Sequence, residues 1–147
     1  MKSLIVEDDF TSRVLLQSVL SRYGECHIAV NGREAVQAFQ DARNSGNDYD
    51  FICMDILMPE LDGQQALQQI RTLEHNAGVL PSWHVKVLMI TALDDPKSVM
   101  GAFYQLCDAY LCKPIDVGKL QQHLRELGLV NDPPQPAATP AGVVLIL

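Results

Sequence analysis

The chain has 147 residues, 48% of them apolar and 20% charged, a globular balance with enough length for one domain and its core. A net charge of −7 and a pI near 4.9 argue against direct contact with nucleic acid or an anionic membrane surface, both of which call for basic patches. No run approaches the roughly 18 apolar residues of a membrane span, no signal-peptide pattern opens the chain, and Cys26, Cys53, Cys107 and Cys112 form no C-x-x-C pair, so the expectation is a cytoplasmic protein with reduced, mostly buried thiols.

Apolar runs of strand length alternate with segments of helical period. "SLIV" (3–6) reads as a first strand ending at Glu7-Asp8-Asp9. From Thr11 to Tyr23, Val14, Leu15, Val19, Leu20 and Tyr23 mark a helical stripe closed by Gly24. "CHIAV" (26–30) is a second strand, and Asn31 with Glu34 fits a capping box for a helix that buries Ala35, Ala38, Phe39 and Ala42. Residues 50–55 form a third strand, and Asp62-Gly63 opens a helix carrying Leu67, Ile70 and Leu73. In the long connection 74–84, Trp83 is expected to pack over a helix rather than bind a ligand. "VKVLMITA" (85–92) is a fourth strand, and Asp95-Pro96 suits the start of a fourth helix with Val99, Phe103 and Leu106 inside. "AYLCK" (109–113) is a fifth strand, and Asp116 caps a fifth helix with Leu120, Leu124 and Leu127 inside.

Five βα units in succession imply an α/β fold, a doubly wound parallel sheet with helices on both faces. The domain is expected to cover residues 1–128, followed over 129–147 by a Pro/Ala-rich linker and the apolar tail Val143-Val144-Leu145-Ile146-Leu147. Such a tail suits pairing with a sheet edge, in a neighbouring copy or in its own domain.

In an open parallel sheet, ligands bind beyond the carboxyl ends of the strands. This chain places Glu7-Asp8-Asp9, Asp55, Thr91 and Lys113-Pro114 there. With the first and third strands adjacent, Asp8 and Asp55 converge, and two carboxylates about 4 Å apart repel by roughly 4 kcal/mol at an effective dielectric near 20. A hard divalent cation such as Mg²⁺ reverses that sign. A carboxylate nucleophile, a cation, an ammonium and a hydroxyl are the parts phosphoryl transfer requires. Each has a plainer reading alone: Asp9 as a helix cap, Lys113 as a surface lysine, Thr91 as a β-former, Tyr110 as a packing residue. His27, His75, His84 and His123 share no metal-binding spacing.

Taken together, "LIVEDD", "MDILMPELDG", "ITA" and "CDAYLCKP" resemble the receiver (response-regulator) domain of two-component signalling, over about residues 1–128. The resemblance implies a flavodoxin-like five-stranded sheet in the order 2-1-3-4-5 with five helices. It implies that Asp55 accepts a phosphoryl group from a histidine kinase, a phosphotransfer protein or a small phosphodonor. Asp8 would ligate Mg²⁺ directly, Glu7 through water, and the Leu57 backbone carbonyl would complete the shell. Thr91 would bond a phosphoryl oxygen and Lys113 would pair with it. Lys113-Pro114 would be cis, and Tyr110 would be the aromatic switch that turns inward as Thr91 moves. Output would pass through the surface of the fourth helix, fifth strand and fifth helix to a protein target or a second copy. Hydrolysis in such domains is aided by side chains two residues after the Asp and after the Thr, here the apolar Leu57 and Leu93.

Other readings fit less well. A phosphatase of the haloacid-dehalogenase type needs a second acid where Leu57 stands, and a cap domain. A degenerate receiver acting only as a binding module would lack some of these groups. A flavin site would need a Ser/Thr/Gly phosphate loop after the first strand. The reading is therefore a single-domain regulator or a piece of a larger one, with only its own phosphorylation and dephosphorylation chemistry.

Overall fold

The computed structural model describes residues 1–58, 60–92 and 100–131, without the side chain of Ala102. Five strands, β1 (Ser3–Val6), β2 (Cys26–Ala29), β3 (Phe51–Asp55), β4 (Lys86–Thr91) and β5 (Ala109–Cys112), form one parallel sheet in the order β2-β1-β3-β4-β5. Every residue of β1 and β3 is buried, because both faces of the sheet are covered; hence their unbroken apolar runs. Alternate side chains feed two cores. Leu4, Val6, Ile52, Met54, Val87 and Met89 face one side, while Ile5, Phe51, Cys53, Leu88 and Ile90 face the other. Burying each Leu, Ile or Phe contributes about 1.5–3 kcal/mol.

The first core is covered by α2 (Gly32–Asn44), α3 (Gly63–Asn76) and a 3-10 segment (Gly101–Leu106); the second by α1 (Phe10–Leu20) and α4 (Val117–Glu126). The doubly wound fold and the strand order are as expected. Among the described residues there are four complete α-helices and two 3-10 segments. The expected helix start at Asp95-Pro96 and Val99 lies outside the described residues. At Gly101 the backbone is left-handed (φ 54°), which breaks α geometry, and Phe103 and Leu106 reach the core from 3-10 turns instead. The helix expected fifth is α4. Residues 132–147, with the expected tail contact, also lie outside the described residues.

Three further expectations are corrected. On α1 the buried stripe is Leu16, Val19 and Leu20, and Val14 is exposed; two residues from Leu16, it points to the opposite side of the helix. Trp83 does not pack over a helix but is 78% exposed on a 3-10 turn, Pro81–Trp83, that starts at proline. Its neighbour His84 turns inward instead, with Nε2 3.1 Å from the Val79 carbonyl. The thiols are not mostly buried: only Cys53 is, Cys26 and Cys107 are half-buried, and Cys112 is exposed because β5 is an edge strand with one outward row.

A buried ionic network ties α3 to the amino ends of β4 and β5. Arg71 donates to Glu74 Oε1 (2.7 Å), the Val85 carbonyl (2.8 Å), the Leu106 carbonyl (2.9 Å) and Asp108 Oδ2 (3.0 Å). The Val85 N–H donates to Glu74 Oε2 and the Val87 N–H to Asp108 Oδ2. Glu74 is 1% exposed, a burial tolerable only because both its oxygens are paired.

Candidate functional site

Strand register decides which side chains meet. β1 aligns Val6 with Met54, so the acids after β1 sit beside Asp55 at the end of β3. β4 aligns Thr91 with Cys112, so Lys113 emerges next to the end of β4, its N–H donating to the Thr91 carbonyl at 2.7 Å. The Lys113-Pro114 peptide is cis.

Lys113 Nζ donates to Asp55 Oδ2 at 2.9 Å and lies 3.3 Å from Glu7 Oε2. The Leu57 N–H donates to the other Asp55 oxygen at 3.1 Å. Glu7 Oε1 accepts from the Asp9 N–H at 3.1 Å, while Asp9 uses its own carboxylate to cap α1 through the Ser12 N–H. Arg13, one turn into α1, donates to the Glu7 carbonyl at 3.3 Å. Glu7 is fully buried, Thr91 and Asp55 are nearly so, and Asp8 is exposed.

Carboxylate oxygens of Glu7, Asp8 and Asp55 lie within 4.8 Å of one another. Burial pushes the Glu7 pKa up to about 7; the Asp9 N–H pulls it down, while the Asp55 charge pushes it higher. Burial alone would lower the Lys113 pKa, but the hydrogen bond and charge of Asp55, and then of Glu7, outweigh it and leave it raised. Three carboxylates and one ammonium carry a formal charge of −2. Glu7 Oε2 is buried without an aligned hydrogen bond, since the nearby ammonium offers it charge alone. An oxygen-only donor set with that excess charge and an orphaned acceptor fits a hard divalent cation such as Mg²⁺.

The structure thus gathers Glu7, Asp8, Asp55 and Lys113 into one cluster, with Thr91 at the adjoining strand end. Tyr110 stands apart, 37% exposed, its ring centroid 5.5 Å from that of Tyr104. Both rings line a groove of about 540 Å³ with Asp108, His123, Glu126 and Leu127. Three exposed apolar side chains, Phe10, Val14 and Leu57, are carried by the first turns of α1 and the loop after Asp55. The part of Arg13 was not anticipated; its only signal is a position one helical turn beyond the Asp9 cap.

A flavodoxin-like sheet with an acidic, lysine-bearing cluster at its carboxyl edge defines an α/β domain built around a cation-ready carboxylate. The chain belongs to the response regulator receiver domain family, whose model matches residues 3–125. It is 28% identical to the sensory/regulatory protein RpfC of Xanthomonas campestris over 146 residues, 99% of this chain and 19% of that protein. The chain therefore spans about a fifth of that relative's length. Among solved structures it resembles the receiver domain of sensor histidine kinase PA1611 from Pseudomonas aeruginosa, which holds a magnesium ion in its active-site cleft (TM-score 0.69, 27% identity, 86% of this chain and 97% of that one). It also resembles the co-crystal of the Saccharomyces cerevisiae phosphotransfer protein Ypd1 with the receiver domain of Ssk1 (TM-score 0.71, 28% identity, 87% of this chain and 88% of that one). Among the described residues no helix is long and apolar enough to cross a membrane.

Proposed function

We propose that this domain is a phosphorylation-dependent cytoplasmic signalling switch in which Asp55 accepts a phosphoryl group. The observation that carries the reading is the placement of the Asp55 carboxylate. It is 6% exposed, held at one oxygen by Lys113 (2.9 Å) and at the other by the Leu57 N–H (3.1 Å), with two more carboxylates alongside. Glu7, Asp8, Asp55 and the Leu57 carbonyl would hold Mg²⁺, which when bound supplies Lewis-acid polarisation of the phosphoryl oxygens.

An Asp55 oxygen attacks phosphorus as the bond from phosphorus to the donor's histidine nitrogen, or to the acetate oxygen of acetyl phosphate, breaks. The bonding pair leaves with the donor, and an acyl phosphate remains. Lys113 offsets charge on the transferred group, and the Thr91 hydroxyl donates to one of its oxygens. The donor is a histidine kinase or phosphotransfer protein, and Phe10, Val14 and Leu57 give it an apolar rim to dock on. Phosphorylation adds about −1.5 to −2 charge. Thr91 and Lys113 answer it by moving inward, the Tyr110 ring follows, and the groove it lines changes shape for a protein target or a second copy. Acetyl phosphate with Mg²⁺ is expected to add one phosphoryl group by mass spectrometry, absent in Asp55→Asn. A mass increase that survives that substitution would overturn the assignment.

A further inference from the structure

The connection from β3 to α3, described over residues 56–58 and 60–62, contains the Leu57 backbone. Two glycines pin it. The Gly63 N–H donates to the Ile56 carbonyl at 2.9 Å, closing the segment on itself, and Asp62 and Gln65 close a capping box on α3. The second pin comes from elsewhere in the chain: the Gly32 N–H, in the first turn of α2, donates to the Leu61 carbonyl at 3.0 Å. This spends one of the helix's orphan donors on the segment rather than on water. Gly32 is buried, and a Cβ built on it would overlap the Leu61 carbonyl oxygen and lie 2.9 Å from its carbon and 3.1 Å from the Asp62 oxygen. All three are backbone atoms, so no flexible side chain can yield. Its φ is not left-handed, so what the position demands is space. Leu61 is half-buried and packs against the core that α2 and α3 cover.

We propose that Gly32 is a positioning residue for the cation site. Close contact with Leu61 lets the amino end of α2 set where residues 60–62 stand, and through that connection where the Leu57 backbone sits beside Asp55. The inference rests on the reading above that this segment helps hold Mg²⁺. It makes α2, whose residues all lie outside the acidic cluster, part of the site's support. Coupling of this kind is reciprocal: if the Gly32–Leu61 contact favours Mg²⁺, bound Mg²⁺ strengthens the contact.

The test compares Mg²⁺ affinity by calorimetry in wild type, Gly32→Ala and Gly118→Ala, at a temperature where each is folded by circular dichroism. Gly118 lies in α4, and its added Cβ would meet nothing closer than Asp116 Oδ1 at 3.2 Å. Gly32→Ala is expected to weaken Mg²⁺ binding about tenfold, the scale of a lost outer-shell support. Gly118→Ala is expected to leave it unchanged. The acetyl phosphate reaction of Gly32→Ala should approach the wild-type rate at saturating Mg²⁺, with only its Mg²⁺ midpoint displaced. A merely structural glycine would lower the melting temperature and leave the affinity of the folded protein alone, and that result overturns the proposal. Should Gly32→Ala fail to fold, wild-type amide exchange decides: Mg²⁺ is expected to slow exchange at Gly32, and an unaltered rate overturns the inference. Wild type that binds no Mg²⁺ takes down the functional reading as well, whereas wild-type binding with unperturbed Gly32→Ala takes down this inference alone.

Discussion

Lys113→Met removes the ammonium that, among the described residues, faces the three carboxylates, and leaves a side chain of similar length. At an effective dielectric near 20, the 2.9 Å contact with Asp55 and the 3.3 Å contact with Glu7 correspond to gross attractions of about 6 and about 5 kcal/mol. Desolvation of the ammonium offsets much of that, and breaking one side of a buried pair typically costs about 3–5 kcal/mol. A proton on Glu7 can absorb part of the loss. The Glu7 carboxyl already has its folded pKa near 7, above its ordinary 4.5, so the folded protein binds more protons than the unfolded chain between those values. Glu7's contribution to metal-free stability therefore falls as pH rises from about 4.5 through about 7, and loss of Lys113 extends that window upward. We expect Lys113→Met to cost about 3 kcal/mol at about pH 8 without metal and clearly less at about pH 6, with Mg²⁺ restoring part of the difference at the higher pH. Urea unfolding followed by circular dichroism, with chelator or with Mg²⁺, measures all four conditions. A penalty equal at both pH values and indifferent to Mg²⁺ would refute the electrostatic account of the cluster.

Arg71→Ala should destabilise by about 3–5 kcal/mol, because it strands the buried Glu74 carboxylate; a loss under about 1 kcal/mol by denaturant titration would show that the network is not the tie described. Ser3 Oγ is buried without a hydrogen-bond partner, so Ser3→Ala should stabilise by about 1 kcal/mol, and a lower denaturation midpoint would contradict this. Glu60 holds a left-handed φ of 66°, and Glu60→Asn, which tolerates that conformation better, should raise the melting temperature, corresponding to up to about 1 kcal/mol. If the acyl phosphate forms, its decay should quicken in a Leu57→Asn, Leu93→Glu double variant, because Leu57 offers no group to orient water; Leu93 lies outside the described residues. Unchanged decay in a phosphorylation time course would show that water placement does not limit hydrolysis.

The sheet was legible because β1, β3 and β4 are buried on both faces and so read as unbroken apolar runs between turn residues. The cluster was legible for a related reason: parallel topology carries every strand's carboxyl end to one edge, so acids written after β1 and at the last position of β3 and a lysine after β5 meet there. What escaped the sequence depends on contacts distant along the chain. Glu74 sits at a helical position that could equally face water, and its burial follows from Arg71 and from the Val85 N–H. The α1 stripe was misplaced because Val14, Leu15 and Leu16 are all apolar, and only packing against the sheet selects Leu16. Gly32 reads as an ordinary helix-start residue; the Leu61 carbonyl that excludes a Cβ from it is distant along the chain and meets it only in the fold.

Trp83, the chain's only tryptophan, stands 78% exposed just before β4, at the opposite end of that strand from Thr91. Its indole is surrounded by water whether the domain is folded or not, so its emission should change little on unfolding, on cation binding or on phosphorylation. The natural fluorophore makes this domain optically quiet, and a tryptophan placed at Phe10, an exposed aromatic position on the rim of the acidic cluster, would give it a reporter where the chemistry is expected to happen.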